Sequence, residues 1–195
     1  DLTVDAASDA AFSLIAGSAS GGVLAGAAAI GFLQNDNLTR AYIQNSRMGV
    51  AGNTAGIDIT GDLVVQASAH TTVNTFVAGA SYGSTGLAGM ASVLLLDGTT
   101  EAWIFNSDVG LLPGGAGSVR VAASDSLSVD AMTGGVALGG NAAGAAAAVL
   151  LGGSRTEAAI SRSDLQVRGD VDVIAERDWN IDLLTLSGAL ASGAG

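Results

Sequence analysis

Few residues in this chain are equipped for covalent chemistry. It has one histidine, His70, seven arginines, and neither lysine nor cysteine. Amine and thiol nucleophiles and thiolate metal sites are therefore excluded. A Ser/His/acid triad would have to be built on His70, whose counterparts in the other repeats are Asp9, Ser126 and Asp178, so a surface turn is expected there. Acids are plentiful, with 15 Asp and 3 Glu. Asp58 and Asp62, and Asp170 with Asp172, are the candidate Ca²⁺ ligands, since hard carboxylate oxygens suit that ion; Asp36 lies between Asn35 and Asn37. None follows the EF-hand or Gly-rich nonapeptide spacing, and a solvated turn acid is the alternative for each. The stretch Gly79-Ala80-Ser81-Tyr82-Gly83 lacks the Gly-Lys-Ser/Thr ending of a phosphate loop. No catalytic constellation and no organic cofactor site emerge.

What positions these residues is a repeat. Leu2-Thr3-Val4-Asp5-Ala6, Leu63-Val64-Val65-Gln66-Ala67, Val119-Arg120-Val121-Ala122-Ala123 and Val171-Asp172-Val173-Ile174-Ala175 open four units, 1–62, 63–118, 119–170 and a partial 171–195. Closing motifs begin at Ala41, Ala102 and Ala158, each 39 residues after its opening. Only the connectors 49–62, 110–118 and 166–170 change in length. A fixed module that cannot bury its apolar face alone, joined by an elastic loop, reads as an all-β parallel solenoid. Openings and closings alternate with period two, as half-buried strands do. Ile43, Ile104 and Ile160 then face the core. Asn45 and Asn106 stand at equivalent corners, where Asn can bond from one level to the next; Arg162 interrupts that ladder. Tyr42 and Trp103 share a position, where they either stack on one another or stand outside as a sugar- or protein-binding surface; burial is the expectation.

Composition narrows the partners. The net charge is −11, with 49% hydrophobic residues and 4% aromatics. No clustered basic residues exist to track nucleic acid, nor a basic face for anionic lipid. Divalent cations are the more natural small partners, and association between such acidic bodies is expected to respond to Ca²⁺ or Mg²⁺.

Residues 22–33, 83–96 and 139–151 are apolar on both alternating sets. They are too short and too Gly-interrupted for membrane helices and lack flanking anchors. The reading is of Ala/Gly-rich strands buried on both faces, covered by a further β layer or by self-association with neighbouring repeats. Glu in place of Ala27, Ala88 or Ala145 is then expected to unfold the chain or abolish assembly.

The motif Thr-x-Ala-x-Ile-x-Asn-Ser is carried by Thr39, Ala41, Ile43, Asn45 and Ser46, and by Thr100, Ala102, Ile104, Asn106 and Ser107. Thr156, Ala158, Ile160 and Ser163 keep part of it. With the Val-x-Val-x-Ala openings, it resembles the repeats of giant secreted bacterial surface proteins of the filamentous haemagglutinin and leukotoxin-like adhesin type. The resemblance implies a right-handed parallel β-helix, extracellular or on the bacterial cell surface, and a structural or adhesive role without an active site. Partners would be host or neighbouring cell surfaces or polysaccharide. The alternative is a β-helix carbohydrate enzyme, a lyase or glycosidase, which needs its acids gathered in one groove.

Overall fold

Apolar and polar residues alternate in this chain over far longer stretches than an ordinary strand, and the backbone follows. The computed structural model describes residues 1–46, 56–57, 59–110 and 116–192. Strands β1 (Leu2–Gln44), β2 (Leu63–Phe105) and β4 (Val119–Ser161) are 43 residues each, and β6 (Val171–Ala191) is 21. They form one parallel sheet in the order β1-β2-β4-β6. The short β3 (Asp108–Val109) and β5 (Asp164–Leu165) pair separately. The described residues contain no helix, and none is long and apolar enough to cross a membrane.

The register follows the repeat. Leu2 pairs with Leu63, Leu63 with Val119, and Val119 with Val171, and every later residue keeps step. The connectors differ from expectation in one detail. Val109 pairs with Ile57, whereas Met48, the residue before the expected first connector, lies outside the described residues. The turn expected around His70 is absent too. Asp9, His70, Ser126 and Asp178 are in register, but within continuous strands.

Each 43-residue strand bends back on itself. The Ser8 hydroxyl and the Asn37 amide exchange hydrogen bonds at 3.3 and 3.1 Å, and the Ser154 hydroxyl bonds the Asp125 carboxylate. The bend lies at Gly22, Gly83 and Gly139, stacked in register. Gly22 has φ +150°, and a Cβ on Gly83 or Gly139 would collide with the carbonyl of the glycine one level away. Alternation changes phase there: in β2 the buried side chains fall on odd residues from 63 to 81 and, Glu101 apart, on even residues from 86 to 104. Two limbs thus face each other across a core.

That core changes along the limbs. At the open end Leu63, Val65, Ile104, Val109, Val119 and Val121 are fully buried. Midway Val73, Leu94 and Val129 meet. Nearest the bend only Ala27, Val77, Ala88, Met90 and Ala137 remain. Limbs that converge leave room for less side chain, and a Cβ on Gly31 would sit within 3 Å of Leu14 and Val77.

The Ala/Gly-rich stretches are not buried on both faces. Ala25 and Ala27 point inward, whereas Leu24 and Ile30, on the other parity, are 77% and 75% exposed. One face of a strand meets the opposite limb; among the described residues nothing covers the other. The same alternation splits the three alanines grouped above. Ala27 and Ala88 are in register and buried, but their partner in β4 is Gly144; Ala145 pairs with Gly89 and faces outward. A one-residue step changes the face.

Ala27→Glu and Ala88→Glu are therefore expected to lower stability by about 3 kcal/mol or more, as an unpaired buried charge does. Ala145→Glu should stay within about 0.5 kcal/mol of the parent. Urea unfolding midpoints of the three variants check this.

Candidate functional site

At the corner after the long strands, Asn45, Asn106 and Arg162 take φ of 59°, 49° and 51°. Asn tolerates this left-handed conformation better than most residues because its short polar side chain bonds locally. Here the bond runs between levels, Asn106 Nδ2 donating to Asn45 Oδ1 at 2.7 Å, as the spacing predicted. Arg162 has no amide to offer and instead lies over the Phe105 ring at 5.5 Å. Behind this corner the serines form a second ladder. Ser46 N–H donates to Ser107 Oγ and Ser107 N–H to Ser163 Oγ, both at 3.2 Å. The hydroxyls of Ser107 and Ser163 in turn donate to the carbonyls of Phe105 and Ser161, at 2.9 Å. Ile43 and Ile104 fill the core beside it, and Ile160 packs against that cluster from a half-buried position.

The candidate Ca²⁺ acids do other work. Asp62 Oδ1 accepts the Ser118 N–H at 2.8 Å, and Asp1 serves the Asp62 N–H in the same way. Asp170 contributes its carbonyl to the Val119 N–H. Asp172 stands in register with Arg120. Asp58 lies outside the described residues. Among the described residues no three acidic or histidine side chains converge as a metal site would require. Asp97, in register with Asp36, accepts the Gly153 N–H at 3.0 Å. The His70 ring sits between Ser126 Oγ and Thr72 Oγ1, each at 3.2 Å. No carboxylate completes a triad among these contacts.

A polar and aromatic patch lies on the outer face of the second limbs. Arg40, Glu101 and Glu157 are register neighbours. Glu101 is buried although its position faces out, because Arg40 Nε donates to it at 2.8 Å and Arg155 approaches at 3.9 Å. Arg155 also pairs with Glu157. The hydrogen bond and charge of Glu157, and then the charge of Glu101, hold the Arg155 guanidinium above its already high pKa. One level away from each other, Tyr42 and Trp103 have ring centroids 5.8 Å apart, with Arg40 over the indole at 5.9 Å. Tyr42 is 53% exposed, so its expected burial is not met; it has an outward parity. Sequence reasoning passed over the Arg/Glu cluster, although offsets of 61 and 56 residues place Arg40, Glu101 and Glu157 at one position of the repeat.

A groove of about 660 Å³ crosses the outer face of the first limbs. One wall is Ser13, Asn74, Asp130 and Asp182; the other is Ile15, Phe76, Met132 and Leu184. Both rows are in register across all four levels.

Asn106→Ala is expected to cost about 2 kcal/mol, combining left-handed strain with the lost bond. Asn106→Gly removes the strain alone and should cost about 1 kcal/mol or less. Thermal unfolding of the pair separates the two contributions.

No family model, curated protein or solved structure matches the chain.

Proposed function

We propose that the chain is a segment of a right-handed parallel β-solenoid. In this reading it serves as a rigid structural and adhesive shaft at a bacterial cell surface. The observation that supports this most is the constant register, carried through two pairings of 43-residue strands and a third of 21 residues without a change of step. Each level repeats the backbone path of the one before it, and changes in length are confined to the connectors. Such a body supplies length, stiffness and a long lateral surface. Parallel ladders along the stacking axis would resist extension, because many backbone bonds are loaded together. The aromatic and Arg/Glu patch around Tyr42 and Trp103 offers a contact for saccharide or a neighbouring cell surface. The outward apolar strands offer contacts for neighbouring repeats.

A second reading, a carbohydrate-active enzyme, draws on the groove. Asp130 and Asp182 are register partners, so their backbones lie about 4.8 Å apart, close to the separation of about 5 Å for carboxylates in retaining glycosidases. Stacked acids are a general product of this register, however, since Asp36 with Asp97 and Glu101 with Glu157 share it. The shaft reading is preferred for that reason.

Electron micrographs are expected to show rods, and aligned specimens an axial reflection near 4.8 Å. Compact particles without that reflection would count against the shaft. Release of reducing ends from acidic polysaccharide, abolished by Asp130→Asn, would favour the enzyme.

A further inference from the structure

The outer face of the first limbs is divided along its length. Toward the open end it carries Asp5, Asp9, Asp172, Glu176 and Asp178, with Arg120 as its basic residue. Toward the bend, charge stops. Residues 10–35, 71–96, 131–154 and 183–195 contain no Asp, Glu, Lys or Arg. Large apolar side chains there point outward as well as inward. Ile15 is 77% exposed, and Tyr82 and Leu190 are 70%, while Ser18, Ser20 and Ser81 fall on the inward parity.

The relief of this face is ordered by register. The ridge Ile15, Phe76, Met132 and Leu184 runs across all four strands. Next come two rows that are shallow on β1 and β2 and fuller on the later strands: Gly17, Ala78, Gly134 and Leu186, then Ala19, Ala80, Val136 and Gly188. Tyr82, Leu138 and Leu190 then form a second ridge nearest the bend.

We propose that this face is the interface between two copies of the chain. They would be related by a two-fold axis parallel to the stacking direction and lying over the row of Gly17 and Ala78. The rotation keeps each level opposite its equal and reverses the strand direction. The Ile15/Phe76 ridge of one copy then lies on the Ala19/Ala80 row of the other. The Tyr82/Leu190 ridge enters the groove between the Asn74 row and the Phe76 row, placing the Tyr82 ring opposite Asn74. The acidic halves extend to opposite ends of the pair, and Asp130 and Asp182, in the Asn74 row, come opposite Leu138 and Leu190 at the margin of the overlap.

The area fits this occupant. About 12 residues of overlap span ~40 Å, and four strands span ~19 Å. That gives about 750 Å² from each copy, against the roughly 800 Å² of a stable interface. The proposal needs only the sheet geometry and is independent of the shaft reading.

Sedimentation velocity of the 195-residue chain over a concentration series reads the mass. A dimer is expected, with Ile15→Asp or Phe76→Asp weakening it at least tenfold while the β-sheet circular dichroism is unchanged. Position is read by crosslinking, for which the absence of native cysteine is convenient. Facing sheets are ~10 Å apart, beyond direct disulfide reach, so a short bismaleimide is used. Ala78→Cys should crosslink across the axis and Gln66→Cys should not. A chain that stays monomeric throughout overturns the proposal. So does a dimer that crosslinks at Gln66→Cys, or at Ala28→Cys on the second limb, but not at Ala78→Cys. Flotation of monomers with phosphatidylcholine vesicles overturns it in favour of lipid. A failure to see rods leaves these readouts intact.

Discussion

Everything in this molecule depends on an in-register parallel backbone ladder. Once Leu2 pairs with Leu63 and Leu63 with Val119, each residue acquires fixed neighbours about 4.8 Å above and below. Side chains of one repeat position are then stacked whether or not they attract. Where they are Asn or Ser, the stack becomes a hydrogen-bond ladder at the corner. Where they are Gly, as at the bend, backbone can approach backbone. Acids pose the harder case, because two unit charges at that distance repel by about 1 kcal/mol even in bulk water. The outward rows answer this by mixing types: Asp9 with His70 and Ser126, and Arg120 with Asp172. Glu101, next to Glu157, is held between two arginines.

The ladder fixes what lies along the stack but not how each level is shaped. Shape comes from the bend. Two limbs joined at a glycine must converge toward it, and side chains between them must shrink. The sequence of core clusters, from Leu63 and Ile104 through Val73 and Leu94 to Ala27 and Ala88, is the record of that convergence. At the open end the third side contributed by β3 and Ala116 closes the space, so large aliphatic residues fit there and are fully buried.

How much of this could be read from residues alone follows from the same division. The register was legible because it is a matter of spacing: the offsets between openings are the pairings seen in the sheet. The Asn45–Asn106 bond was legible for the same reason. The fold-back was not, because alternation inverts across a single step at Gly83 and no residue type announces it. That missed inversion explains the grouping of Ala145 with Ala27 and Ala88, although Ala145 faces the other way. It also explains why strands apolar on both parities were expected to be buried on both faces. The Tyr42 position was misjudged on residue type, since an aromatic ring suggests core, whereas its parity next to buried Ile43 sends it outward.

The outward apolar residues therefore have a structural cause. A chain that is 49% hydrophobic folds into limbs that hold mostly Ala, Ser, Thr and Gly between them near the bend, with Val77 and Met90 as the larger inward side chains. Ile15, Phe76, Leu87 and Leu184 cannot be turned inward there without forcing the limbs apart. Changing parity would bury them but bring the small residues of the other set to the surface, and would lose the match between limbs that now seats Leu14 and Val77 against Gly31. Exposed apolar area of this extent is uncommon on a solitary soluble surface. A narrow interior and an apolar exterior are in this way two consequences of one bend. The contact surface is set by the geometry that makes the level thin.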